Sequence, residues 1–206
     1  MHRDMDKIIA PHGPLTLASG SQIRRQLLET AGVPLAIRPA RIDEGAIREA
    51  LLAEQAHPRD IADTLAEFKA RKVAGDGLTL GCDQVLALKT AIFEKPDSKE
   101  AARDQLHRLS GQTHHLYSGA VIYDGAEPVW RHVGVARMTM HKLTEDEIDA
   151  YLDLAWPDVA SSVGAYQAEG LGARLFSRIE GDWFSVLGLP LLEICSYLRL
   201  QGWRFT

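Results

Sequence analysis

The chain is poor in the features that would declare a membrane, an oxidising compartment or a nucleic-acid partner. Among 206 residues there are two cysteines, Cys82 and Cys195. They lie far apart and outside any C-x-x-C or Cys/His ligand spacing, which excludes a disulfide framework and a zinc module and predicts two reduced, packed thiols. No apolar stretch approaches the roughly 20 residues of a membrane span, and residues 1–12 are too polar for a secretory h-region. Basic residues are not in excess: 23 Lys and Arg stand against 28 Asp and Glu, a net charge of −5. That balance excludes a dedicated nucleic-acid binder but not a small phosphorylated ligand, which responds to the local field. A Walker loop, a kinase signature, H-E-x-x-H and G-x-S-x-G are all missing. A cytoplasmic protein with neither membrane nor nucleic-acid partners is expected.

What remains is an ordinary globular composition, 46% apolar and 25% charged. This suits one domain over 1–206, with residues 1–13 a loosely ordered leader. Periodicity and turn signals predict a strand at 15–18, a helix at 22–31 ending at Gly32, and a strand at 33–38. After a loop carrying Asp43 and Glu44 come helices at about 45–55 and 58–74. A strand at 78–82 is predicted to end at Asp83, and a helix spans about 98–109. Strands at about 114–123 and 129–140 flank a hairpin turn. Thr144 and Glu147 form a capping-box pattern opening a helix to about Leu154, and a Gly-rich segment, 164–188, leads to a helix at 191–200. Strands and helices alternate but hairpins intervene. The fold class is therefore α/β, with a mixed, twisted sheet flanked by helices.

The segment Leu17-Ala18-Ser19-Gly20-Ser21-Gln22-Ile23-Arg24-Arg25 is the most informative. It reads as a buried strand, a small-residue turn, and a helix with two arginines in its first turn. The positive end of a helix dipole disfavours cations unless an anion sits among them. Hydroxyls from Ser19 and Ser21, free helix N–H groups and guanidinium forks make a phosphate cradle. Further along, Lys69 falls at the border of an apolar helix stripe, Asp83 at a strand end and Lys95 on a turn before Pro96. Two carboxylates, Glu44 and Asp83, with Arg24, Lys69 and Lys95 are the residue types needed for metal-assisted attack on a polyphosphate.

These residues, with Gly81-Cys82-Asp83-Gln84-Val85, Leu109-Ser110-Gly111 before His114, Gly164-Ala165-Tyr166 and Val186-Leu187-Gly188-Leu189-Pro190, resemble the Maf family of nucleoside triphosphate pyrophosphatases from about Leu15 to Leu198. The resemblance implies an inosine triphosphate pyrophosphatase-like fold with a cleft between two lobes. It also implies hydrolysis between the α and β phosphates of a nucleoside triphosphate, giving a monophosphate and pyrophosphate. By the same resemblance Asp83, Lys95 and Glu44 carry catalysis, with Asp83 the proton acceptor. Ser19, Ser21, Arg24, Lys69, Gln84 and Glu169 hold substrate, and Glu44 with Asp83 organise Mg²⁺ or Mn²⁺. A homodimer is expected on the same ground. The sequence departs from the family where Ser-Pro-Arg-Arg becomes Ser21-Gln22-Ile23-Arg24.

By the same resemblance, Ile23, Gln84 and Glu169 stand at positions expected to set base choice. Gln84 with Glu169 is the pair of the branch acting on 7-methylguanosine triphosphate, and a Glu carboxylate can accept from the guanine N1–H and 2-amino group together. Ile23 replaces the Trp of that branch and removes a stacking partner for a cationic base. Base choice is left open, with a modest lean towards guanine-type bases such as that of 7-methyl-GTP. A non-catalytic nucleotide-binding regulator of cell division is the alternative.

Overall fold

The computed structural model of the chain describes residues 8–205. The order of elements is β1 (Ile8–Ile9), β2 (Leu15–Leu17), α1 (Gln22–Thr30), β3 (Leu35–Ile37), α2 (Glu44–Ala53), α3 (Pro58–Val73), β4 (Leu78–Leu88), β5 (Ala91–Phe93) and α4 (Lys99–Leu109). There follow β6 (Thr113–Asp124), β7 (Glu127–Met140), α5 (Glu145–Ala155), three 3-10 turns between 158 and 175, β8 (Phe176–Glu180), α6 (Trp183–Val186), α7 (Leu191–Leu200) and β9 (Arg204–Phe205). Of the leader expected over 1–13, residues 1–7 lie outside the described residues. Ile8–Ile9 do not run free, however, because they pair antiparallel with Arg204–Phe205.

Seven strands form one mixed sheet in the order β3-β2-β4-β6-β7-β8, with β5 paired to β4. β2 runs parallel to β3 and β4, and the remaining pairs are antiparallel. One core packs α1 and α7 around β2 and the start of β4, through Leu15, Leu28, Leu80 and Ile194. A second packs α4, α5 and the 3-10 turns against the far end of β4, β6 and β7, through Leu86, Leu106, Leu116 and Ile148. The cleft lies between them.

Two expectations need correction. Asp43 and Glu44 are not in a loop. Asp43 caps α2, its carboxylate accepting the Ala46 N–H at 3.0 Å, and Glu44 is the first helical residue. Asp83 is not at a strand end but in the middle of the eleven-residue β4. The polar pair Asp83-Gln84 resembles a strand terminator in sequence, yet β4 runs on because β6 pairs with it from Leu78 to Ala87. The other edge of β4 is bonded to β2 as far as Leu80 and to β5 only from Leu86. Residues 81–85 therefore have an open edge, and that gap in the sheet is the floor of the cleft. β8 and α6 were hidden inside the Gly-rich segment. β8 has only five residues and its two consecutive exposed positions break the alternation that marks a strand.

α3 crosses the sheet at this gap. It approaches so closely that a Cβ at Gly81 would lie 2.1 Å from the Ala66 carbonyl oxygen, and one at Gly119 would lie 2.4 Å from that of Ala62. Glycines on two adjacent strands thus let the helix sit directly on β4 and β6. The same approach fixes how far above β4 the side chain of Lys69 projects.

Candidate active site

The cleft has a volume of about 900 Å³ and is lined by the start of α1, the start of α2, Lys69, the open stretch of β4, the segment after β5, residues 161–169 and the turn 186–188. Every sequence-predicted site residue reaches it: Ser19, Ser21, Ile23, Arg24, Glu44, Lys69, Asp83, Gln84, Lys95 and Glu169.

At its floor Lys69 joins the two carboxylates. Its ammonium donates to Asp83 Oδ1 at 2.6 Å and lies 3.0 Å from Glu44 Oε1. Lys69 is 7% exposed and Asp83 6%, so this is a largely desolvated pair in which each charge depends on the other. Lys69 is far from snorkelling. Its position at the edge of the α3 stripe points it over the sheet and not out to water. No protein donor bonds Asp83 Oδ2 among the described residues.

Arg24 differs from the free phosphate fork expected of it. It is buried, and Nε donates to the Gly188 carbonyl at 2.8 Å while Nη1 donates to the Cys82 carbonyl at 2.9 Å. The second of these is possible because β4 has no strand partner at that edge. Arg24 therefore staples the 186–188 turn to the cleft floor, and Nη2 alone is without a protein acceptor among the described residues. Ser19 supports it, its Oγ lying 3.4 Å from Nη1 and accepting the Ser21 N–H at 3.2 Å. Ser21 is the N-cap of α1. Arg25 turns to solvent and pairs with Glu29 one helical turn on, so it does not replace the arginine lost at Ile23. Lys95 is exposed, lines the cleft and has no ion-pair partner among the described residues.

Gln84 is held by one end. Its Nε2 donates to Ser118 Oγ at 3.0 Å and to the Ser185 and Val186 carbonyls at 3.2 and 3.1 Å. Ser118 in turn donates to the Ser185 carbonyl at 2.7 Å. Carbonyls only accept, so the amide nitrogen must face them, and the Gln84 carbonyl oxygen is left as an acceptor. Ser185 is fixed by Asp182, which takes both its N–H and its hydroxyl at 2.8 and 3.0 Å. Nothing in the sequence singled out Ser118, because an isolated serine in a strand gives no signal until its neighbour across the sheet is known.

Other reactive groups are silenced. Burial pushes the Cys82 thiol up to about 11, so it offers no thiolate at neutral pH. His114 is buried with Nε2 2.7 Å from the hydroxyl of Tyr166, a residue of the cleft wall, and with Nδ1 unpartnered among the described residues. Burial, with a smaller contribution from His115, lowers its pKa from 6.5 to about 4. The unfolded chain takes up this proton first, so the stabilising difference is complete above 6.5 and is lost as pH falls towards 4. Wild-type stability should fall by roughly 3 kcal/mol over that interval on this account. His114→Gln should flatten the limb in denaturant titrations, and identical limbs would remove His114 as the cause.

The walls carry four cationic side chains, Arg24, Arg48, Lys69 and Lys95, and four carboxylates, Glu44, Asp83, Glu94 and Glu169, and are formally neutral. A polyphosphate tail entering such walls calls for added positive charge. Two hard carboxylates on the floor, each with one oxygen not bonded to Lys69, fit a divalent ion that also binds phosphate oxygens.

A family model described as Maf-like protein matches residues 14–201. "Nucleoside triphosphate pyrophosphatase 1" of Jannaschia sp. (strain CCS1) is 64% identical over 191 residues, covering 91% of this chain and 96% of the relative. "Nucleoside triphosphate pyrophosphatase" of Roseobacter denitrificans (strain ATCC 33942 / OCh 114) is 52% identical over 192 residues, with 92% and 96% covered. "7-methyl-GTP pyrophosphatase" of Rhizobium meliloti (strain 1021) is 46% identical over 191 residues, with 91% and 96% covered.

Proposed function

The chain belongs to the Maf-like protein family, and from that premise we propose that it hydrolyses a nucleoside triphosphate between the α and β phosphates. The observation that carries this reading is the Lys69 ammonium bridging Asp83 and Glu44 on the floor of a cleft that also collects Arg24 and Lys95. Asp83 accepts a proton from water through Oδ2 while Lys69 occupies Oδ1. The water oxygen bonds to the α phosphorus, the bond from that phosphorus to the bridging oxygen breaks, and pyrophosphate leaves with the electron pair. Lys95, the free end of Arg24 and the open N–H groups of α1 hold the tail and offset its charge.

Glu44 and Asp83 would hold a divalent cation, Mg²⁺ or Mn²⁺, which when bound neutralises phosphate charge and orients the tail. Elsewhere in the cleft lining the Gln84 carbonyl oxygen and the Glu169 carboxylate are both acceptors. Two acceptors suit a base edge rich in donors, as guanine has, and suit the acceptor edges of pyrimidines less well. Ile23 supplies an aliphatic contact where an aromatic ring would stack on a cationic base, so guanine itself fits at least as well as its 7-methyl form.

The test is a panel of purine, pyrimidine and 7-methylguanosine triphosphates with Mg²⁺ or Mn²⁺, following pyrophosphate and orthophosphate separately. Pyrophosphate is the expected first product, and orthophosphate in its place would reject cleavage at the α–β bond. Glu169→Gln should weaken guanine nucleotides by about tenfold relative to pyrimidines. Equal losses would remove Glu169 from base recognition.

A further inference from the structure

Arg48 is the one cation of the cleft that the catalytic account above leaves idle. It lies one helical turn after Glu44, so both project from the same face of α2. That face is fixed because Ile47 and Leu51 pack into the cluster of Ile61, Leu65 and Val85 beneath α2. The Arg48 side chain is only 17% exposed and donates through Nη1 to the Glu94 carboxylate, which is 64% exposed. Glu94 precedes Lys95 on the opposite wall, after β5, where Gln105 donates to its backbone carbonyl at 2.9 Å. The pair therefore spans the mouth of the cleft, from α2 to the segment that carries Lys95.

An ion pair with one mostly solvated partner is worth little, about 0–1 kcal/mol. A phosphate accepting from a partly desolvated guanidinium is a stronger contact, and the guanidinium has donors that Glu94 does not use. Glu94 is also a carboxylate facing a site for a polyanion, an unfavourable placement unless a cation masks it until the ligand arrives. We propose that Arg48 is a substrate-binding residue for the triphosphate tail and that Glu94 is its exchangeable counter-ion, released when a phosphate oxygen takes its place. The inference rests on the nucleotide reading of this same cleft and adds to it a fourth phosphate contact from α2, together with an intrinsic competitor.

Two measurements test it: calorimetric binding of inorganic pyrophosphate with Mg²⁺, and the KM and kcat for the best triphosphate of the panel. Arg48→Gln should weaken pyrophosphate and raise KM by about tenfold, with kcat changed less than about threefold. Arg48→Lys keeps the charge but not the fork and should fall between, which also serves if the Gln variant folds poorly. Glu94→Gln should act in the opposite sense, tightening pyrophosphate and lowering KM several-fold, because it removes the competitor. If Arg48 and Glu94 only clasp the two walls together, both variants weaken binding alike, and that result overturns the proposal. Unchanged pyrophosphate affinity in Arg48→Gln overturns it too. The pyrophosphate arm needs no turnover, so a wild type that binds pyrophosphate but cleaves no triphosphate would sink the hydrolase reading while still deciding the role of Arg48.

Discussion

Asp83→Asn is expected to lower turnover by about a thousandfold while leaving KM within a few-fold of wild type. The substitution is isosteric and Lys69 keeps Glu44 at 3.0 Å, so the ammonium is not stranded. The amide oxygen can still accept from Lys69, whereas the opposite end of the group becomes a donor where water needs an acceptor. A proton can then no longer leave the attacking water at that atom, and the loss falls on kcat. Thermal stability should change little, because the buried pair becomes a charge facing a neutral acceptor with a second carboxylate in reach. A variant that kept more than about a tenth of wild-type kcat would remove Asp83 as the proton acceptor.

Lys69→Met should be the more damaging change to the fold. It leaves the Asp83 carboxylate, 6% exposed, without its cation, and breaking a buried pair from one side costs about 3–5 kcal/mol. Activity should fall as well, by about two to three orders of magnitude, since Asp83 loses the cation that fixes its carboxylate and leaves Oδ2 facing water. The two effects separate in the double variant. Lys69→Met with Asp83→Asn removes both charges, so much of the stability should return while turnover stays at the level of the worse single variant. Denaturant titrations and steady-state rates on the four proteins of this cycle decide the matter. Additive stabilities would mean that the 2.6 Å contact does not couple the two residues energetically.

Much of this molecule is written locally. Helices α1, α3, α4, α5 and α7 begin and end within a few residues of where caps and periodicity put them. The Thr144–Glu147 capping box is formed as its pattern implies. Gly32 takes the positive φ of +79° expected of a residue closing α1. Elements whose signal was interrupted were misjudged. Asp83 and Gln84 divide an apolar run, and only the long pairing with β6 shows that the run is one strand. Asp43-Glu44 carries charge as a loop does, yet it also suits an N-cap and first helical residue, and the helix behind it decides between them.

The site was legible as a set of residue types and illegible as an arrangement. Arg24 and Arg25 look equivalent in sequence, but they are neighbours on a helix and face different ways, one into the cleft and one to Glu29. Arg48 sat within a predicted helix four residues beyond Glu44, and that spacing could have marked it as a companion on the same face.

The sequence by itself determined which segments bury which faces, which candidate residues line the cleft, and which family the chain joins. These follow from neighbours a few positions apart, where 3.6- and 2-residue periods act. Only the tertiary structure decided that Lys69 rests between Asp83 and Glu44, that Arg24 is anchored through Nε and Nη1 on backbone carbonyls, and that Arg48 reaches Glu94. The first two depend on α3 settling onto Gly81 and Gly119 and on a gap in the sheet between β2 and β5, and the third on α2 packing through Ile47 and Leu51. Close approach of distant segments is a property of packing, and no local period encodes it.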